Sequence, residues 1–151
     1  MRKIQMTEAA TYGKPLPALD ESNRAFWSAA REQRLVLQHC GGCGRPRYPI
    51  NHICPHCLDG RFEWRAVSGR GSVHSSIVFH QVYEAAFAGD VPYNVSLIQL
   101  EEGPRMISSV VGIPASEVQV GDRVQVCFDA VTAQITIPRF RWIGQGQTDA
   151  R

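Results

Sequence analysis

Four of the five cysteines stand in two CxxC pairs, Cys40-Gly-Gly-Cys43 and Cys54-Pro-His-Cys57, separated by ten residues. A CxxC turn puts two thiolates on one side of a tight loop, and two such turns facing each other complete a tetrahedron of sulfur. Zinc suits that donor set, and iron accepts the same geometry. Gly44 after the first pair and Pro55 inside the second match the bends these turns need. A redox dithiol usually occurs once, beside a βαβ pattern, whereas here the pair is doubled and no such pattern follows. Four thiolates close the coordination shell, so the expected ion is one structural zinc held by Cys40, Cys43, Cys54 and Cys57. His39, His52 and His56 are near in sequence and are read as loop residues or outer donors.

The elements that position these hooks follow from pattern. Residues 1–19 contain "YGKPLPAL" and are expected to be a loose arm. "DESNRAFWSAAREQRL", 20–35, predicts a short helix capped by Asp20 or Ser22, with Phe26, Trp27, Ala30 and Arg34 near one face. After the hooks the texture becomes stranded. In 71–83, Val73, Ser75, Ile77 and Phe79 share a face by period two. Residues 93–113 form two strands around Glu102-Gly103-Pro104. Residues 120–131 alternate Val124, Val126 and Phe128, and 135–142 is a last strand whose Pro138 implies an edge or bulge. Five strands over roughly 70 residues have the size of a small OB-type barrel.

The expected fold class is therefore mainly β: an N-terminal arm and helix (1–36), a rubredoxin-like zinc ribbon (37–66), a five-stranded OB-type barrel (67–143) and a flexible tail (144–151).

Composition limits the function. With 16 Lys plus Arg against 14 Asp plus Glu, the formal charge of +2 does not argue for nucleic acid. The chain is 44% hydrophobic, enough for a packed core. No apolar run approaches a membrane span and no secretory h-region follows the basic start. Paired cysteines with one left over match a reducing compartment, so a cytoplasmic protein is expected.

In order and content, "FWSAAREQRLVLQHCGGCG", "RPRYPINHICPHC", "FEWRAVSGRGSVHSSIVFH", "PYNVSLIQLEEGPRMISSVVGI", "VGDRVQVCFD" and "IPRFRW" resemble the acyl-CoA-associated zinc-ribbon/OB-fold family, long labelled a domain of unknown function. The resemblance covers residues 20–142, and all four cysteines are kept where some relatives have lost them. It implies a non-catalytic accessory subunit in a hetero-oligomer. The partner would be a thiolase-fold or ketosynthase-like subunit that carries the nucleophile and acts on acyl-CoA thioesters. Other members partner hydratases or aldolases of steroid side-chain breakdown. A CoA thioester at the interface is part of the same expectation.

Four arginines are candidates for CoA phosphate or an acidic partner patch. Arg139 and Arg141 share a strand face in "PRFRW", and Arg45 and Arg47 sit in the ribbon loop. A solvated strand face is the alternative. Phe26 and Trp27 are candidate partner anchors or, equally, a cover for one end of the barrel. Cys127 has no base aimed at it, and His74 and His80 form no catalytic pair with it. A single-stranded nucleic-acid module is the competing class. It needs aromatics interleaved with basic residues, and 93–113 offers only Tyr93 and Arg105.

Overall fold

The computed structural model describes residues 12–146. The expected arm at 1–11 and the end of the expected tail at 147–151 lie outside them. Helix α1 spans Arg24–Arg31. Strands β1 (Val36–Cys40), β2 (Pro46–Arg47) and β3 (Phe62–Ala66) form a three-stranded antiparallel sheet in the order β2-β1-β3. Strands β4 (Arg70–Phe79), β5 (Tyr93–Leu100), β6 (Arg105–Ser108), β7 (Val110–Val111), β8 (Arg123–Ala130) and β9 (Thr136–Gly144) make a second sheet, ordered β6-β5-β4-β8-β9-β7. Among the described residues the fold is mainly β, with one α-helix, a ribbon and an OB-type barrel.

The helix is shorter than its pattern. The Asp20 carboxylate accepts from the Ser22 and Asn23 amides and the Ser22 hydroxyl, which sets the turn before α1. At the other end Gln33 is left-handed at φ 59°. Its N–H donates to Ala30 and that of Arg34 to Ala29. This is a Schellman stop, after which the chain enters the first sheet at Val36.

The barrel closes through one segment. β6 pairs with β5, and after Ser109 the chain turns so that β7 pairs in parallel with β9, Val110 opposite Phe140. The Phe140 amide donates to the Ser109 carbonyl at 3.0 Å. Residues 105–111 thus touch both edges of the sheet and cover part of each. The sequence reading saw this segment as one strand. Pro138 lies beyond the two residues of β9 that β7 reaches, so its missing N–H falls where that side of the strand is locally an edge.

One core serves the whole chain. Phe26 and Ala29 of α1, Val36 and Leu37 of β1, and Val73, Ile98, Val124 and Phe140 of the barrel belong to a single buried cluster. The ribbon is therefore packed on the barrel and does not hang from it. Residues 12–19 lack regular structure, but Lys14 pairs with Asp90 and its ammonium sits 5.2 Å from the Phe87 ring. That part of the arm is fastened, contrary to the loose segment expected.

The alternation expected in β4 fails after Val73. A bulge between Val73 and Ser75 inserts a residue against β5 and reverses the phase. Val73 is buried, but Ile77 is 58% exposed, and Ser76 instead turns inward to the Ser96 hydroxyl at 2.9 Å.

Candidate metal centre

Cys40 is the last residue of β1, so the first hook springs directly from a buried strand. The second hook lies in the loop between β2 and β3. The four Sγ atoms all lie within 4.8 Å of one another. Cys40 Sγ is 3.5 Å from Cys57 Sγ, and Cys43 Sγ is 3.7 Å from Cys54 Sγ. A tetrahedron with metal–sulfur bonds of about 2.3 Å has edges of about 3.8 Å, so the donor set has the size such an ion needs.

The two hooks are built alike. In the first, Gly44 N–H donates to the Cys40 carbonyl and Cys40 N–H to the Arg45 carbonyl; in the second, Leu58 donates to Cys54 and Cys54 to Asp59. The residue after each second cysteine is left-handed, Gly44 at φ 73° and Leu58 at φ 63°. Only the first suits its residue type. Gly41 and Gly42 serve close approach. A Cβ on Gly42 would meet the Asp59 carboxylate at 2.7 Å, and one on Gly41 the Arg61 Cβ at 2.9 Å.

The thiols differ in their electrostatic surroundings. The backbone N–H groups of His56 and Cys57 help hold Cys54 down to about 6. Cys57 also faces an N–H, that of Asp59, but the three neighbouring sulfurs push it up to about 11. A divalent metal held by the four sulfurs would favour the thiolate form of each. No histidine joins the set among the described residues. His39 Nδ1 lies 3.2 Å from the Leu37 carbonyl, and His56 Nδ1 accepts from Arg45 Nη1 at 3.0 Å.

The structure separates the other candidates. Arg47, expected in an anion site, is 4% exposed. Its Nε donates to Gln38 Oε1 at 3.2 Å, its Nη2 to the Asn51 carbonyl at 3.0 Å, and its guanidinium stacks 5.1 Å from the Phe62 ring. These contacts brace the ribbon, while its Nη1 has no partner among the described residues. Arg45 is exposed beside His56. Arg139 and Arg141 do share a face of β9, but Arg139 is already engaged by Asp129 Oδ2 and Ser109 Oγ, each at 2.9 Å. Arg141 is exposed and lines a cleft of about 580 Å³ with Arg34, Gln125 and Cys127. Phe26, a candidate anchor, is 4% exposed and packs edge-on to Trp27 at 5.1 Å, so it belongs to this chain's own core. Trp27 remains half-buried. Burial pushes the Cys127 thiol up, against Arg141 and Arg139, which makes it a poor nucleophile.

Sequence reasoning missed Gln38, whose buried Oε1 also accepts from the Asn51 amide at 2.9 Å. It also missed the Asp59–Arg61 pair, in which the carboxylate binds the Arg61 amide and guanidinium while the Arg61 carbonyl accepts from Gly41. An acid two residues before an arginine, directly after the second hook, was the available signal for the pair.

The sequence matches two adjoining family descriptions: "ChsH2, rubredoxin-like zinc ribbon domain" over 27–63 and "ChsH2, C-terminal OB-fold domain" over 64–129. A "DUF35 domain-containing scaffold protein" of Methanothermobacter thermautotrophicus is 31% identical over 114 residues, 75% of this chain and 85% of the relative. This chain belongs to the DUF35 family. Another relative in sequence, a "probable enoyl-CoA hydratase alpha subunit" of Thermomonospora curvata, is 36% identical over 143 residues. That match takes in 93% of this chain but only 44% of the relative, so the chain spans less than half of it. A solved DUF35 structure titled "Ltp2-ChsH2(DUF35) aldolase" contains a chain 34% identical to this one, with a TM-score of 0.76. The superposition covers 84% of this chain and 98% of that one. No helix among the described residues is long and apolar enough to cross a membrane.

Proposed function

We propose that this DUF35 protein is a non-catalytic, zinc-stapled accessory subunit of a cytoplasmic enzyme complex that acts on acyl-CoA thioesters. The supporting observation is the likeness, across ribbon and barrel together, to the chain in a structure whose title names an aldolase of two components. The metal's part is mechanical. Four thiolates leave no open position for water or substrate, so the ion joins two loops and contributes folding energy. Reaction chemistry belongs to the partner. The relatives' names favour a hydratase- or aldolase-type partner over the thiolase-type partner of the sequence reading. A CoA thioester reaching the interface would find Arg141 uncommitted to any ion pair among the described residues, whereas Arg139 is paired with Asp129.

The test is a native pull-down of the tagged chain from its source cells, with mass spectrometry of what is retained. A near-stoichiometric hydratase, aldolase or thiolase-fold subunit is the expected result. A solitary protein, or one retained with nucleic acid, would defeat the proposal.

A further inference from the structure

Two buried side-chain atoms have no hydrogen-bond partner among the described residues, Arg47 Nη1 and Glu102 Oε2, and both residues line the same crevice. The other polar atoms of these groups are in use. Arg47 gives Nε to Gln38 Oε1 and Nη2 to the Asn51 carbonyl. Glu102 Oε1 accepts from the Ser68 amide at 2.7 Å. Each side chain is therefore held in place by one part and left unsatisfied at another. A buried polar atom without a partner is costly, most of all on a charged group, and native structures leave few of them.

The crevice has a volume of about 310 Å³ and lies where the ribbon meets the β5–β6 turn. Arg47 and Pro55 line it from the ribbon, Glu102 and Pro104 from the barrel. Nη1 and Oε2 are not bonded to each other, so an occupant has to satisfy each separately. A guanidinium nitrogen can only donate and an ionised carboxylate oxygen can only accept. The occupant must then carry an acceptor and a donor together. Its charge is limited as well. A phosphate or carboxylate that met Arg47 would face the Glu102 carboxylate, and a cation that met Glu102 would face the guanidinium. Arg45 also lines the crevice, but it is exposed and its Nη1 lies on His56 Nδ1 at 3.0 Å. A secondary amide is neutral and offers both groups. One water offers both too, but it fills only about 30 Å³, a small part of the space. Proline walls have no N–H to compete for the amide carbonyl.

We propose that this crevice binds a neutral secondary amide, whose carbonyl accepts from Arg47 Nη1 and whose N–H donates to Glu102 Oε2. This replaces the anion role expected of Arg47 and stands apart from the accessory-subunit reading. Two sources of the amide are compatible with that reading: a peptide group of the enzyme subunit, and the pantetheine arm of a CoA thioester.

The test is proton–nitrogen NMR of the metal-loaded full chain, titrated separately with N-acetylglycine N-methylamide, pantetheine and acetate. Both amides are expected to move the Ser68 and Gly103 amide signals and the Arg47 side-chain signal saturably, and acetate is expected to leave them in place. The tighter of the two amides names the source. Glu102→Gln keeps an oxygen for the Ser68 amide but sets an NH2 group where the ligand must donate, so it should weaken both amides by about tenfold or more. Should that variant not fold, the preference of wild type for amide over acetate decides. No saturable shift with either amide would overturn the proposal. So would acetate binding as well as the amides, which would mark an anion site, or undiminished amide binding in folded Glu102→Gln.

Discussion

The amide of Ser68 donates to Glu102 Oε1 at 2.7 Å across 34 residues of sequence. Ser68 lies in the link between the ribbon's last strand and the barrel's first, and Glu102 lies in the β5–β6 turn. The Ser68 carbonyl is held as well, by Gln125 Nε2 at 3.0 Å. Both backbone groups of the linking residue are thus tied to the barrel, which sets how the metal ribbon sits on it.

Removing that tie should cost stability. Glu102→Ala leaves the Ser68 amide without its partner and is expected to destabilise the chain by about 1–2 kcal/mol, measured by urea unfolding. Burial works to raise the Glu102 carboxyl, but its hydrogen bonds to Ser68 outweigh that and hold it below the usual range. A carboxyl lowered on folding contributes stability above its unfolded value and loses it as pH falls through its folded value. The gap between wild type and Glu102→Gln should therefore narrow below roughly pH 4. A gap that stays constant from neutral to acid pH would show that the charge does not matter.

The thiolate cluster predicts one zinc per chain by elemental analysis of the purified protein. Cys57→Ser, or a strong chelator, should remove it. Because the ribbon shares a core with the barrel, losing several kcal/mol of metal-linked folding should lower the melting temperature by roughly 10 °C or more. Unchanged melting without metal would mean the hooks close unaided.

The matched left-handed positions predict substitutions of opposite sign. Leu58 is 76% exposed, so its side chain gives little packing in return for its backbone strain. Relief of about 1–2 kcal/mol, less the added chain entropy of glycine, leaves Leu58→Gly stabilising by about 0.5–1 kcal/mol. Gly44→Ala should destabilise by about 1 kcal/mol. Thermal melts of the two zinc-loaded variants check both.

The two arginines of β9 should behave differently. Arg139→Ala gives up contacts to Asp129 and Ser109 and should cost about 1 kcal/mol. Arg141→Ala should stay within about 0.5 kcal/mol of wild type. If CoA phosphate uses the cleft beside it, the assembled complex should bind a CoA thioester about tenfold more weakly with Arg141→Ala. Equal affinity in a titration would remove Arg141 from the CoA site.

Much of the site was legible because its signals are local. Two CxxC spacings state a ligand set in four residues each, and the structure brings those four sulfurs together. Glu102-Gly103-Pro104 reads as a turn because only a few residue types tolerate such bends, and β5 and β6 flank it. Arg47 was not legible. An arginine in a ribbon loop has the same letter whether it faces solvent or stacks on Phe62, fifteen positions on, and only packing distinguishes the two. Phe26 raised the same difficulty, since an aromatic stripe on a short helix is equally suited to its own barrel or another's.

The sequence by itself therefore determined the ligand set, the order of helix, hooks and strands, and the family. Those depend on residue type at short spacing, where backbone geometry leaves few choices. Tertiary structure alone decided which faces point outward. One bulged residue between Val73 and Ser75 reverses every side chain beyond it without altering composition, and the Asn94–Val110 bonds that hold the opposing register connect residues 16 apart. Register is a property of paired strands, so no single strand's pattern contains it.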